Sequence, residues 1–160
     1  MNRIFVFLAF IFTIFACKPV TPVSTNDIKL QPSSFVCLAS QSQCRVSVDT
    51  GHFDIQFSQV AQEGKIKTEL PFYIQLHFDA LGEKYKIQSI ASYLEGKSMF
   101  MGKIPVFFKE GQNNGMVAES LLANCSEDVM TWRLWFTVKI LIADKVQQQD
   151  FFIDFDSQRL

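Results

Sequence analysis

Histidine is scarce in this 160-residue chain, which has only His52 and His77. That scarcity restricts acid–base chemistry, and neither residue stands in a recognisable nucleophile motif. His77 falls on the polar side of an alternating run and His52 follows a turn glycine, so each reads as a surface residue. There is no glycine-rich phosphate loop ahead of a helix, no His-Glu-x-x-His and no paired Cys-x-x-Cys spacing. Catalysis is therefore not expected, and a thiol enzyme using Cys125 has no local support. Charge of one sign is missing as well. Charged residues make up 19% of the chain and the formal net charge is −1, with acids and bases interspersed. Nothing resembles the basic stripe of a nucleic-acid binder. Glu127 and Asp128 read as a solvated loop rather than a calcium site. No internal repeat is visible, and the length suits one domain with a proper core better than two.

One long apolar run is present. Arg3 is followed by Ile4 to Ala16, in which only Thr13 is not apolar. This is a charged n-region and an h-region, too short to span a bilayer as a helix. The run ends Ile14-Phe15-Ala16-Cys17, which resembles the bacterial lipobox: an aliphatic residue three before the cysteine, a small one just before it, then the cysteine. The resemblance implies that residues 1–16 are a signal peptide and that Cys17 is lipidated. The chain would then be held outside the cytoplasm by acyl groups, several of which give stable anchoring. Lys18 stands where an aspartate would favour inner-membrane retention in Gram-negative lipoproteins, which points to the outer membrane, facing the periplasm. Residues 17–32 carry Pro19, Pro22 and Pro32 among Thr, Ser and Asn and read as a tether.

Residues 33–160 read as the folded domain. Phenylalanine supplies most of the 14% aromatic content, and it favours strands. Strands are expected over 35–38, 45–48 and 52–58, where Phe53, Ile55 and Phe57 alternate with polar residues. Pro71 opens another, with Phe72, Ile74, Leu76 and Phe78 on one face. Lys84 to Leu94 slips phase between Ile87 and Ile90, the mark of a bulge. Pro105 demotes 104–109 to an edge or bulged strand. Gln112-Asn113-Asn114-Gly115 is a turn signal, and 116–123 reads as strand in preference to one short helix. Met130, Trp132, Leu134, Phe136, Val138 and Ile140 make one apolar face from which Trp135 points away. A turn at Ala143 and Asp144 leads to Phe151, Ile153 and Phe155. Eight or nine short strands at this spacing predict an all-β antiparallel β-sandwich of immunoglobulin-like or cupredoxin-like type.

An exported chain is free to form disulfides. Cys37 and Cys44 enclose six residues at what reads as a hairpin end, so a local bridge is sterically natural. Pairings through Cys125 are the alternative, and Cys44 with Cys125 would staple distant strands. Three cysteines besides Cys17 leave one thiol over, as a reactive group, a metal ligand or an intermolecular bridge.

Gly96-Lys97-Ser98-Met99-Phe100-Met101-Gly102 places two thioethers two residues apart between glycines. Soft ligands suit Cu(I). In an extended segment residues two apart share a face at roughly 7 Å, so Met99 and Met101 can converge while Phe100 points away. Cys125, Met130 and Trp132 form a second group, in which the indole is a cation–π candidate. The Met, Met and Trp combination resembles periplasmic copper chaperones of efflux systems. The wider spacing of Gly96, Met99, Met101, Gly102, Cys125, Met130 and Trp132 resembles small exported proteins of copper supply to respiratory oxidases. The resemblance implies Met99, Met101, Cys125 and Met130 as Cu(I) ligands in a carrier that hands the ion to a copper-accepting protein. The competing expectation is a non-enzymatic envelope module that docks on another protein through a sheet face or edge. In that case the methionines are core gap-fillers.

Overall fold

The computed structural model describes residues 34–160 apart from 61–63, 83, 114 and 125. The apolar run, Cys17, the tether and Cys125 lie outside the described residues. The alternating runs fold as ten strands: β1 (Arg45–Val48), β2 (Gly51–Ser58), β3 (Ile66–Lys67), β4 (Phe72–Ala80), β5 (Tyr85–Gly96), β6 (Lys103–Pro105), β7 (Phe108–Glu110), β8 (Met116–Ser120), β9 (Val129–Ile142) and β10 (Lys145–Gln158). They form two five-stranded sheets, ordered β1-β2-β4-β8-β7 and β3-β10-β9-β5-β6. The chain is an all-β sandwich.

The count exceeds the expected eight or nine for two reasons. The run over 104–109 divides between β6 and β7, and the two-residue β3 is too short to carry a period. β3 also pairs parallel to β10, whereas every other strand pair among the described residues is antiparallel. The expected strand over 35–38 contributes a single bridge, Val36 to Phe57. The phase slip in β5 is a bulge between Ile87 and Ser89.

Period two puts every other side chain between the sheets. Phe53, Ile55 and Phe57 of β2 and Phe72, Ile74, Leu76 and Phe78 of β4 are fully buried. They meet Trp132, Leu134 and Phe136 of β9 and Phe151, Ile153 and Phe155 of β10. Rings interlock across the gap: Phe53 lies 4.7 Å from Phe151 and Phe57 4.8 Å from Phe155, centroid to centroid. Such pairs contribute about 0.5–1.5 kcal/mol each beyond the area they bury. The one indole in this layer keeps its polar group satisfied, since Trp132 Nε1 donates to Ser157 Oγ at 3.0 Å.

Both long sides of the sandwich are closed by chain crossing between sheets. On one side residues 36–44 leave β2 and reach β10, where Ser42 N–H donates to the Asp154 carbonyl at 2.7 Å and Asp154 N–H donates to Ser42 Oγ at 2.9 Å. This crossing occupies ladder groups that would otherwise form an open edge. Cys37 and Cys44 are bridged across it, with their Cα atoms 5.6 Å apart. On the other side Val106 and Phe107 carry the chain from β6, the edge of one sheet, to β7, the edge of the other. Pro105 therefore sits in an edge strand, where a missing N–H is tolerated.

The long hairpin β9–β10 is set by a two-residue turn in which Ala143 and Asp144 have φ of 46° and 61°. Positive φ at both positions matches the right-handed twist of the strands, but alanine adopts it at a cost of roughly 1–2 kcal/mol. Asn relieves part of that strain, so Ala143→Asn raises stability by about 1 kcal/mol in urea denaturation. The Cys37–Cys44 bridge, with a sequence separation of 7, restricts the unfolded chain. A Cys37→Ser, Cys44→Ser variant keeps its far-UV spectrum and loses about 2 kcal/mol.

Candidate metal centre

Gly96 ends β5 directly opposite Trp132 of β9. Beyond it the Lys97 N–H donates to the Thr131 carbonyl at 3.0 Å, and the chain then leaves the sheet until Gly102, whose φ of 73° turns it into β6. Within this loop the expected alternation holds. Met99 and Met101 fold back against the core, and Phe100 between them is 95% exposed.

Gly96 is the point at which two methionine side chains, those of Met130 and Met101, come together. A Cβ built there would collide with Met130 Cε and with the Met99 carbonyl oxygen, and would stand 3.4 Å from Met101 Cγ. The missing side chain is thus the space that the Met130 methyl occupies, with Met101 beside it. Four methionines follow Met1; two of them, Met101 and Met130, bring their side chains to this glycine although 34 residues separate it from Met130, and Met99 brings its carbonyl oxygen. Met130 is 4% exposed. Its backbone is pinned by Ser157, whose hydroxyl accepts from Trp132 Nε1 and contacts the Met130 carbonyl at 3.4 Å. Trp132 is fully buried, one layer below.

Chemically the arrangement offers thioethers at the end of a dry core, the setting a soft monovalent ion favours. Cys125 lies outside the described residues. The described residues Asn124 and Asp128 are tied to the same end of the sandwich, by the Asn124–Thr68 side-chain hydrogen bond and by Arg159 N–H donating to the Asp128 carbonyl. Among the described residues no group of three His, Cys, Asp or Glu side chains is placed to hold a metal ion. The histidines lie on the outer face of the other sheet, with His52 Nε2 3.7 Å from Asp54 and 3.6 Å from Asp79.

A second arrangement escaped the reading of the sequence. On the outer face of the β9 sheet, Phe152, Trp135, Tyr93 and Pro105 stand in one row across four strands. Trp135 lies 4.9 Å from Phe152 and 6.2 Å from Tyr93. The next row, Asp154, Arg133, Glu95 and Lys103, alternates in charge. Trp135 Nε1 donates to Glu95 at 2.6 Å, the Arg133 guanidinium sits 3.9 Å over Phe152, and the Lys103 ammonium 4.2 Å over Tyr93. Alternation placed Trp135 outward, but its neighbours follow only from the register of the strands.

This row also holds the base of the methionine loop. Arg133 makes a two-pronged ion pair with Asp154 at 2.7 and 3.0 Å, and Lys97 at the start of the loop donates to the same carboxylate at 2.8 Å. The Arg133 hydrogen bond holds the Asp154 carboxyl below its ordinary value of 3.8; partial burial opposes this and Lys97 assists it. A depressed folded value means that the contribution is complete above the unfolded pKa and is lost as pH falls through the folded one. Acid denaturation below about pH 4 is accordingly shallower in Asp154→Asn than in the wild type when ΔG is followed by urea titration across that window. No protein-family model matches the chain, and comparison with curated proteins gives no match.

Proposed function

We propose that the domain binds a soft metal ion, Cu(I), through Met101 and Met130 and carries it at the envelope side of a membrane. Met99 and Cys125 are the further donor candidates, and a copper-accepting protein is the partner. The observation that supports this reading is the meeting of Met130 and Met101 over Gly96. The lipobox-like Ile14-Phe15-Ala16-Cys17 supports a lipid anchor at Cys17 and an envelope location, where a copper carrier is useful.

The second reading is an interaction module. It is favoured by the ring row Phe152-Trp135-Tyr93-Pro105, since partly exposed aromatic residues flanked by arginine are the usual anchors of protein interfaces. On that reading the methionines are packing alone.

Leucine separates the two, because it conserves volume and removes sulfur. Each substitution in a Met101→Leu, Met130→Leu double variant costs less than about 1.5 kcal/mol of stability. In anaerobic Cu(I) titration against a competing chelator, wild type takes up one ion per chain and the double variant binds at least about tenfold more weakly, a loss near 1.4 kcal/mol. Equal binding by the two proteins, or no stoichiometric uptake by wild type, defeats the carrier reading.

A further inference from the structure

The two ends of the sandwich differ in character. At one end lie the β1–β2 turn at Asp49 and Thr50, the β9–β10 turn at Ala143 and Asp144, and the β7–β8 turn around Gln112 and Asn113, all polar apart from the alanine. Leu81 and Val146 are the exposed large apolar residues there. The other end is built from the loops after β2, β5 and β8 and the start of β9. It exposes Val60 (68%), Phe100 (95%), Leu121 (52%) and Val129. These residues come from both sheets, so they form a fringe around the end rather than a stripe on one face. Folding does not explain them: each is an apolar tip turned away from a core that Met99, Met101 and Leu122 already close.

The chain enters the domain at this same end. Val36 bridges Phe57 antiparallel, so the residues before it run back along the last residues of β2, and Ser34 comes to line one hollow with Gln59 and Val60. Sixteen residues separate Ser34 from Cys17 and the apolar run 4–16. At full extension they reach no more than about 55 Å, while the 14-residue strands β9 and β10 make the sandwich roughly 45 Å long. Only close to full extension could these residues bring the opposite end of the sandwich to a membrane held at Cys17, so that membrane is presented first to the Phe100 end.

We propose that this fringe, Phe100 with Val60, Leu121 and Val129, docks the domain on the lipid surface that anchors the chain, its side chains seated at the headgroup–acyl boundary. Apolar side chains at that boundary bury about 5–10 Å deep, a depth suited to isolated loop tips and not to a groove. Docking sets the methionine centre at the membrane face, with the ring row standing up from it. The inference rests on the membrane-anchored part of the proposed function and is independent of the metal.

The test uses the full lipidated chain reconstituted in phosphatidylethanolamine–phosphatidylglycerol vesicles with and without brominated acyl chains. Tryptophan is added at one tip in Phe100→Trp and at the far end in Val146→Trp, and the unsubstituted protein provides the Trp132 and Trp135 background. The proposal expects a blue shift and loss of most of the added emission in brominated vesicles for Phe100→Trp, with none for Val146→Trp. Equal quenching of the two, or none, in protein that sediments with vesicles overturns docking and leaves the anchor standing. Protein that does not sediment overturns both. Shielding of position 100 in native membranes but not in pure lipid also overturns the proposal and assigns the fringe to a protein partner.

Discussion

Everything in this domain depends on the phenylalanine layer between the sheets. Phe53, Phe57, Phe72 and Phe78 from one sheet and Phe136, Phe151 and Phe155 from the other are buried against each other, and neither sheet can hide its apolar face alone. The register of the strands follows from this, because a slip of one residue would turn the whole row outward. The closing of the two sides follows as well. The crossings at 36–44 and at Val106 and Phe107 use chain that must pass between sheets in any case, and they cover strand edges on the way.

With the sides closed and the middle filled by rings, distinctive chemistry is pushed to an end of the sandwich and to the outer faces. The methionine centre lies at the end where the layer of large rings gives out beyond Trp132. Gly96 leaves a gap there, and flexible thioethers fill it, as suits a polarisable unbranched side chain. Ser157 connects the last ring to the first methionine, satisfying Trp132 Nε1 and lying against the Met130 carbonyl. The outer row of Arg133, Asp154 and Lys97 connects the opposite face to the same loop. Core, loop and outer face are thus mechanically joined at one short stretch of β9.

Much of this was legible in the residues. Period two marked the inward faces of β2, β4, β9 and β10, the phase slip marked the bulge in β5, and Pro105 marked an edge. These signals are local, because a strand's alternation is set by its own backbone. What escaped was short or relational. β3 has two residues and no period. The run over 104–109 looked continuous because a crossing between sheets keeps the backbone extended, and only the change of partner from β5 to β8 divides it. The segment 35–38 looked like a strand and makes one bridge, because it leaves for the other sheet after Val36.

By itself the sequence determined which side chains face inward, that Phe100 points away from Met99 and Met101, and that Cys37 lies within reach of Cys44, since each is a matter of neighbours a few residues apart. Only the tertiary structure decided that Met130 and Met101 meet over Gly96 and that Phe152, Trp135, Tyr93 and Pro105 stand in one row. It alone placed Phe100, Val60, Leu121 and Val129 at the end where the chain enters. These groupings join residues tens of positions apart, and they exist because burying the ring layer sets which strands lie side by side and in what register.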